Sequence, residues 1–414
     1  MKKAKKPTKP SKLCYAIARL ACHPFSAHVF KRKFYRNELK GVKGPFVVVA
    51  NHQTALDFVN LIDAADVPLS FVLSHAFYHT LPIRGFLSRM GVIPKQQFQT
   101  AVSDLYAMKA VVKNGGGLAI YPAGLMGEDG LPTPLPEATY RFLSWLGVDV
   151  YVARTYGAYL VKPKWAKKFR PGRTYMDIYR LFTADELKEK TEEQVESAVR
   201  VALDFDAYKE QERLRIHYKH GDRIEGLENV LYRCPHCAAE FTTGVKNKST
   251  FFCSLCGYEL ESDEFGLLHN EKGVGEEYRY VSDISRLTKD ALRARMEEDE
   301  SLATVRFSAR VEMIDYKRKK FRPAGEGSIT LSREGFVLDG TLKKERVRLS
   351  LPIVNFVSLP FTAGACFEIQ NEQTVYRVYP EDGRLVMKLV HMIRIFHEDQ
   401  ARLAKAPKPI AVRI

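Results

Sequence analysis

Long apolar runs are missing from this chain. Although 45% of its 414 residues are hydrophobic, a membrane-spanning helix needs roughly 18 or more consecutive apolar residues. The one candidate, in "SKLCYAIARLACHPFSAHVFKRKFYR", is broken by Arg19, His23 and Pro24. A secretory signal is missing too: that stretch is an impure apolar region with no small-residue cleavage site behind it. Acid is scarce at the N-terminal end, where residues 1–43 hold 13 Lys or Arg against Glu38 alone. A net +12 of the chain's +15 therefore sits in about a tenth of its length, and the rest is nearly neutral. Internal repeats are absent, and the only low-complexity tract is the Lys- and Pro-rich start. What remains is enough apolar residue for two or more cores, and hence at least two domains.

The basic arm, residues 1–40, also carries a helical pattern. Leu13, Ile17, Leu20 and Ala21 recur at helical spacing, interrupted by Lys12 and Arg19. A basic arm joined to an apolar helical face supplies the two signals that surface binding to a membrane requires, so the arm is expected to lie on a membrane surface. The competing reading is a solvated tail ahead of a helix packed on its own domain.

Cysteine is sparse and unevenly used. Cys14, Cys22 and Cys366 are scattered, while "CPHC" (Cys234, Cys237) and "CSLC" (Cys253, Cys256) are separated by fifteen residues. C-x2-C-x15-C-x2-C is zinc-ribbon spacing. Two tight turns each bring two thiolates to one side, and four sulfur ligands leave no open position, so the expected Zn2+ is structural. Two disulfides would need an oxidising compartment, which the lack of a signal argues against. His236 inside the first knuckle is expected to face solvent.

The pattern of elements changes on either side of the cysteines. Before them, strand-like and helix-like stretches alternate ("PFVVVA", "AVSDLYAMKAVVKN", "GLAIYP", "VDVYVARTYG", "TYMDIYRLF"), which predicts an α/β domain over 41–225. The ribbon is placed at 226–265 and a linker at 266–300. Over 301–414 the sequence reads as short antiparallel strands, with Val305, Phe307, Ala309, Val311 and Met313 on one face of the first. A final helix presents Leu385, Leu389, Met392, Ile393 and Phe396. A mainly antiparallel β domain closed by one helix resembles pleckstrin-homology or GRAM-type domains in architecture.

The stretch "VVVANHQTALDF" (47–58) runs a buried strand into His52 and Asp57. Five residues along a helix leave two side chains about 140° apart, so they meet only if His52 lies on the strand-to-helix turn and Asp57 in the first helical turn. Thr54 is read as N-cap with Asp57 at the third helical position of a capping box. Capping accounts for the Asp but not the His. A His whose ring is held by a carboxylate offers its other nitrogen as a general base. No GxSxG elbow accompanies the pair, so direct deprotonation of a substrate hydroxyl fits better than a covalent intermediate.

Four stretches in order, "NHQTALDF", "FLSRMGVIPKQQ", "GGGLAIYPAGLMGEDG" and "VDVYVARTYGAYLVKPK", resemble the motifs of the glycerolipid acyltransferase superfamily, in its lysophosphatidic acid acyltransferase branch, over about residues 12–205. The resemblance implies that His52 is the base and Asp57 its orienting partner. It further implies transfer of an acyl group from acyl-CoA or acyl-carrier protein to a lysolipid hydroxyl at the cytoplasmic face of a membrane. Tyr121, Pro122 and Gly124 keep the third motif in kind, and backbone N–H groups near Gly124 are the expected oxyanion donors. Departures are concentrated at the acceptor end: Gln97 stands where the second motif has a basic residue, and Ala123 and Met126 where the third has its acid and Arg. Met cannot make the bidentate contact that Arg offers a phosphate.

Three readings compete. The acceptor carries no phosphomonoester; or Lys95, Arg154, Lys162 or Lys164 holds it; or the domain is an inactive lipid-binding scaffold. Glu128 and Asp129 in the same loop would repel a phosphate if they faced it; loop acids usually point to water, and the sequence leaves their direction open. Nucleic-acid binding through the ribbon is disfavoured, because "AAEFTTGVKNKSTFF" offers only Lys246 and Lys248 as cations.

Overall fold

A computed structural model of the protein describes residues 10–95, 102–218, 221–371 and 374–405. The chain divides into two compact units, Met1–Ile284 with Tyr316–Lys319, and Ser285–Asp315 with Lys320–Ile414.

The first unit is built on a seven-stranded sheet of β1 (Lys33–Asn37), β2 (Phe46–Ala50), β3 (Leu69–Ser74), β4 (Ile93–Lys95), β5 (Gly117–Ile120), β6 (Asp149–Tyr156) and β7 (Tyr175–Phe182), in the order β1-β7-β6-β2-β5-β3-β4. Every adjacent pair is parallel except β6 and β7. Its helices are α1 (Lys12–Pro24), α2 (Asp57–Leu61), α3 (His75–Thr80), α4 (Arg84–Arg89), α5 (Val102–Lys113), α6 (Ala138–Leu146), α7 (Ala158–Val161), α8 (Ala184–Glu189), α9 (Glu192–Leu203) and α10 (Glu210–Leu214). All five residues of β2 are buried, the near-continuous apolar run expected of a parallel strand covered on both faces. Val47 and Val49 pack with α5, α6 and α9. Phe46, Val48 and Ala50 pack with Tyr15 and Ala18 of α1, Leu61 of α2 and Met90.

The expected amphipathic helix is present, but the arm is not a separate module. Tyr15 is buried, its hydroxyl donating to the Ile62 carbonyl at 2.9 Å, and β1 pairs with β7. The apolar residues read from the sequence lie on the opposite side: Leu13 is 71% and Leu20 76% exposed, with Ile17 exposed between them. The Lys- and Pro-rich residues 1–9 lie outside the described residues.

The cysteine segment forms a four-stranded sheet in the same unit: β8 (Thr243–Lys246), β9 (Thr250–Cys253), β10 (Glu259–Ser262) and β11 (Leu268–His269), in the order β11-β10-β9-β8. Residues 266–300, expected to be a linker, are structured. They contain β11 and the 18-residue helix α11 (Val281–Glu298), whose residues Val281, Ile284, Leu292 and Met296 are buried.

The second unit has seven antiparallel strands, β12 (Val305–Asp315), β13 (Lys320–Ser332), β14 (Gly335–Leu342), β15 (Glu345–Pro352), β16 (Phe361–Thr362), β17 (Cys366–Gln370) and β18 (Val375–Pro380), followed by helix α12 (Leu385–Lys405). The order is β15-β14-β13-β12-β18-β17-β16, two meanders joined where β12 pairs with β18. The expected alternation along β12 holds through Ala309 and Val311, then slips. Ile314 is buried where the pattern had pointed to Met313, just past a register irregularity at which β13 carries one extra residue, Ala324, opposite the Val311–Glu312 step.

Candidate active site and metal centre

β2 ends at Ala50, and the next residues stand at the carboxyl edge of the sheet, where open α/β folds place their ligands. Asn51 and Gln53 fix this turn. The Asn51 side chain donates to the Thr155 carbonyl and accepts from Thr155 N–H, both at 2.8 Å, tying the end of β2 to β6. The Gln53 carbonyl oxygen accepts from Ala158 and Tyr159 N–H at 3.0 and 3.1 Å, holding the start of α7. Neither residue stands out in the sequence, although both lie inside the motif that carries His52.

His52 and Asp57 meet. Nδ1 of His52 is 2.8 Å from Oδ2 of Asp57, with the carboxylate 2% and the imidazole 20% exposed. The same Oδ2 accepts from Gln53 and Thr54 N–H at 2.7 and 3.0 Å. The capping expectation is met only in part. Helix α2 starts at Asp57, with Leu56 as N-cap, and the Thr54 hydroxyl accepts from Leu56 N–H at 3.0 Å. Asp57 is therefore the first helical residue; its carboxylate reaches back to the turn, which places it beside the imidazole. Donation from Nδ1 to a carboxylate fixes the tautomer and leaves Nε2 able to take a proton.

Tyr121 lies beneath the imidazole, ring centroids 4.9 Å apart at 34°. Burial, with the Asp57 carboxylate nearby, pushes the Tyr121 phenol well above its ordinary range, so it stays neutral. The Tyr121–Gly124 turn is closed by Gly124 N–H donating to the Tyr121 carbonyl at 2.9 Å, and Gly124 takes the left-handed conformation (φ +67°) that only glycine adopts readily. Of the backbone N–H groups near Gly124 expected as oxyanion donors, Gly124's own is used within the turn. Pro122 and Ala123 are half-buried, and Gly124 is exposed.

The expected cations are placed differently. Arg154 follows Val150 and Val152 on the face of β6 that packs with β2's Val47 and Val49, whereas Tyr121 packs against the other face. Its guanidinium Nη2 is bonded to Glu210 Oε1 at 3.2 Å. Arg154 is therefore taken up by a carboxylate on the far side of the sheet from the His52–Tyr121 pair. Lys162, at the end of α7, donates to the Ala166 carbonyl. Lys164 is half-buried in the following loop. Lys95 ends β4, and burial lowers its pKa. Gln97 lies outside the described residues. Glu128 and Asp129 do not point to water: both are buried, and the Glu128 carbonyl accepts from the Tyr159 hydroxyl at 2.5 Å.

The four ribbon cysteines converge, with all sulfur atoms within 4.8 Å of one another. Cys234 and Cys256 lie 3.7 Å apart and Cys237 and Cys253 3.8 Å, distances that no disulfide has. They are the edge lengths of a tetrahedron with centre-to-vertex bonds of about 2.3 Å, the Zn–S distance. The two turns match: Cys234 N–H donates to the Ala239 carbonyl and Cys253 N–H to the Tyr258 carbonyl, both at 2.9 Å. Ala238 and Gly257, each following a second cysteine, are left-handed (φ +64° and +74°). These residues fit zinc, which would crosslink the two turns. His236 is exposed and stacks on Tyr258.

Residues 30–141 match the family model described as Acyltransferase. That segment contains His52, Asp57, Tyr121 and Gly124, so the chain carries an acyltransferase-like domain. Comparison with curated proteins found no match. Among solved structures the chain is similar to the 1-acyl-sn-glycerophosphate (LPA) acyltransferase PlsC from Thermotoga maritima, at 18% identity and a TM-score of 0.40, over 49% of this chain and 79% of that one.

Proposed function

We propose that the protein is an O-acyltransferase acting on a lysolipid at a membrane surface. The observation that carries this is the 2.8 Å contact between His52 Nδ1 and the buried Asp57 carboxylate inside the acyltransferase-like segment. In this reading His52 Nε2 removes the proton of the acceptor hydroxyl as its oxygen attacks the thioester of acyl-CoA or acyl-carrier protein. The Asp57 carboxylate stabilises the resulting imidazolium, and the proton passes to the thiolate that leaves. Tyr121 supports the ring from below. The donor and the acceptor are both acidic, which suits a chain of net charge +15.

Membrane association rests on Leu13, Ile17 and Leu20, exposed on α1 beside a strongly basic sequence. The reading is docking on the cytoplasmic face of a membrane; among the described residues no helix is long and apolar enough to cross one. The ribbon serves as a zinc-stabilised support, and the second unit as a pleckstrin-homology or GRAM-like module. A lysolipid with an uncharged or larger head group is favoured over lysophosphatidic acid, since Ala123 and Met126 replace the charged pair and Arg154 is committed to Glu210. The test is acyl transfer by the purified chain to a panel of lysolipids, with acyl-CoA and acyl-carrier protein as donors, read by mass spectrometry. Acylation of none of them would reject the reading.

A further inference from the structure

Arg170 lies in the loop between α7 and β7 and is 3% exposed. Its N–H donates to the Val161 carbonyl at 2.8 Å, folding the loop onto the end of α7. Nη1 donates to the Arg223 carbonyl. Nε and Nη2 have no hydrogen-bond partner, and among the described residues Arg170 forms no ion pair. The charged groups around it do not answer this. Its electrostatic neighbours are the buried phenols of Tyr208, Tyr218 and Tyr159, all held neutral by burial, and the Lys162 ammonium, a second cation. Its guanidinium lies 5.0 Å from the centre of the Trp165 ring, which offers a π face but no negative charge.

A buried, unpaired cation is costly, and the donors left open have a particular shape. Nε and Nη2 form one edge of the guanidinium fork, the edge that grips two oxygens of a phosphate or carboxylate in parallel. Two more buried donors near it, the Tyr208 hydroxyl and the Trp165 Nε1–H, have no partner at full hydrogen-bond geometry and interact with the neutral Tyr159 hydroxyl. We propose that Arg170, with Lys162, Tyr208 and Trp165, forms a buried binding site for a phosphate group. Two cations and neutral donors suit a tetrahedral dianion better than a carboxylate, which would use the guanidinium edge alone. The site adjoins the catalytic turn through Tyr159, whose N–H is held by Gln53. Its test does not depend on acyl transfer, because the site is read by binding.

The test uses the full chain and inorganic phosphate. Thermal unfolding is followed against phosphate concentration at constant ionic strength, and phosphate released on denaturing the purified protein is measured. The expected result is a saturable rise in melting temperature, or stoichiometric bound phosphate, with apparent affinity weakened at least tenfold in Lys162→Met and in Arg170→Met. Lys162 is half-exposed and decides the matter if Arg170→Met does not fold. Lysophosphatidic acid separates the sources: competition with phosphate places an acceptor head group in the site, and its absence leaves free phosphate as the occupant. Neither bound phosphate nor a saturable response in the native chain would overturn the proposal, as would unchanged affinity in the folded variants.

Discussion

Asp57 shows how much chemistry one carboxylate can fix. Its Oδ2 takes two backbone N–H groups and the imidazole Nδ1, so its removal loosens the turn as well as the base. Asp57→Asn is expected to lower acyl transfer by no more than His52→Ala does, since a disoriented imidazole still accepts protons; a greater loss in the Asn variant would show that the turn matters more than the base. The pair was legible from its spacing and from the strand before it. Its placement, His52 on the turn and Asp57 in the first helical turn, was legible too; the cap was not, because nothing in the sequence shows that α2 begins at Asp57 and not after Thr54. Arg154 was misread for a related reason: its partner Glu210 is 56 residues away, and strand alternation alone does not say which face meets the site.

That same ion pair carries a pH dependence. Burial raises the Glu210 carboxyl from 4.5 to about 7 in spite of Arg154. A carboxyl whose pKa is higher in the folded state binds a proton on folding, so stability is greatest below about 4.5 and falls as pH rises through about 7. At about 1.4 kcal/mol per pKa unit, the fall is on the order of 3 kcal/mol. Glu210→Gln should flatten this part of the stability profile, read by denaturant unfolding from pH 5 to 8. An unchanged slope would mean that Glu210 is ionised throughout.

At the scale of elements, the convergence of the four cysteines was the most legible feature of the chain, because a candidate metal site is written in ligand type and spacing. The segment after it was the least legible. α11 reads as a polar linker, since its buried face mixes Val281, Ile284, Leu292 and Met296 with the polar Ser282, Ser285 and Thr288, and the apolar spacing alone does not mark it. One zinc per chain is expected by elemental analysis. Cys253→Ser or a strong chelator should unfold β8–β10, because binding of the metal and folding of such a module are coupled. The same loss is expected on acidification, as thiolates must be unprotonated to bind. Retained near-native stability after the metal is stripped would show that the sheet stands without it.

At the scale of the molecule, the alternation before the cysteines and the short strands after them foretold an α/β sheet and an antiparallel sheet. The boundary between compact units falls inside the 266–300 segment read as a linker, though within helix α11 and not in an irregular stretch. Surface docking belongs to this scale too. Deleting the whole N-terminal segment would remove Tyr15 from the core, so exposed positions make the better test. Leu13→Gln with Leu20→Gln should weaken co-sedimentation with anionic vesicles while leaving the fold intact, and unchanged binding would move the docking surface elsewhere on the chain.

The central claim is that His52 takes the proton of a lipid hydroxyl during acyl transfer, and one comparison tests it most directly: turnover of the native chain and of folded His52→Ala on the best acceptor of the panel. A positioned general base contributes about 100-fold to 10,000-fold. The account predicts a loss of at least about 100-fold with an unchanged unfolding transition. Near-normal turnover in folded His52→Ala would contradict it.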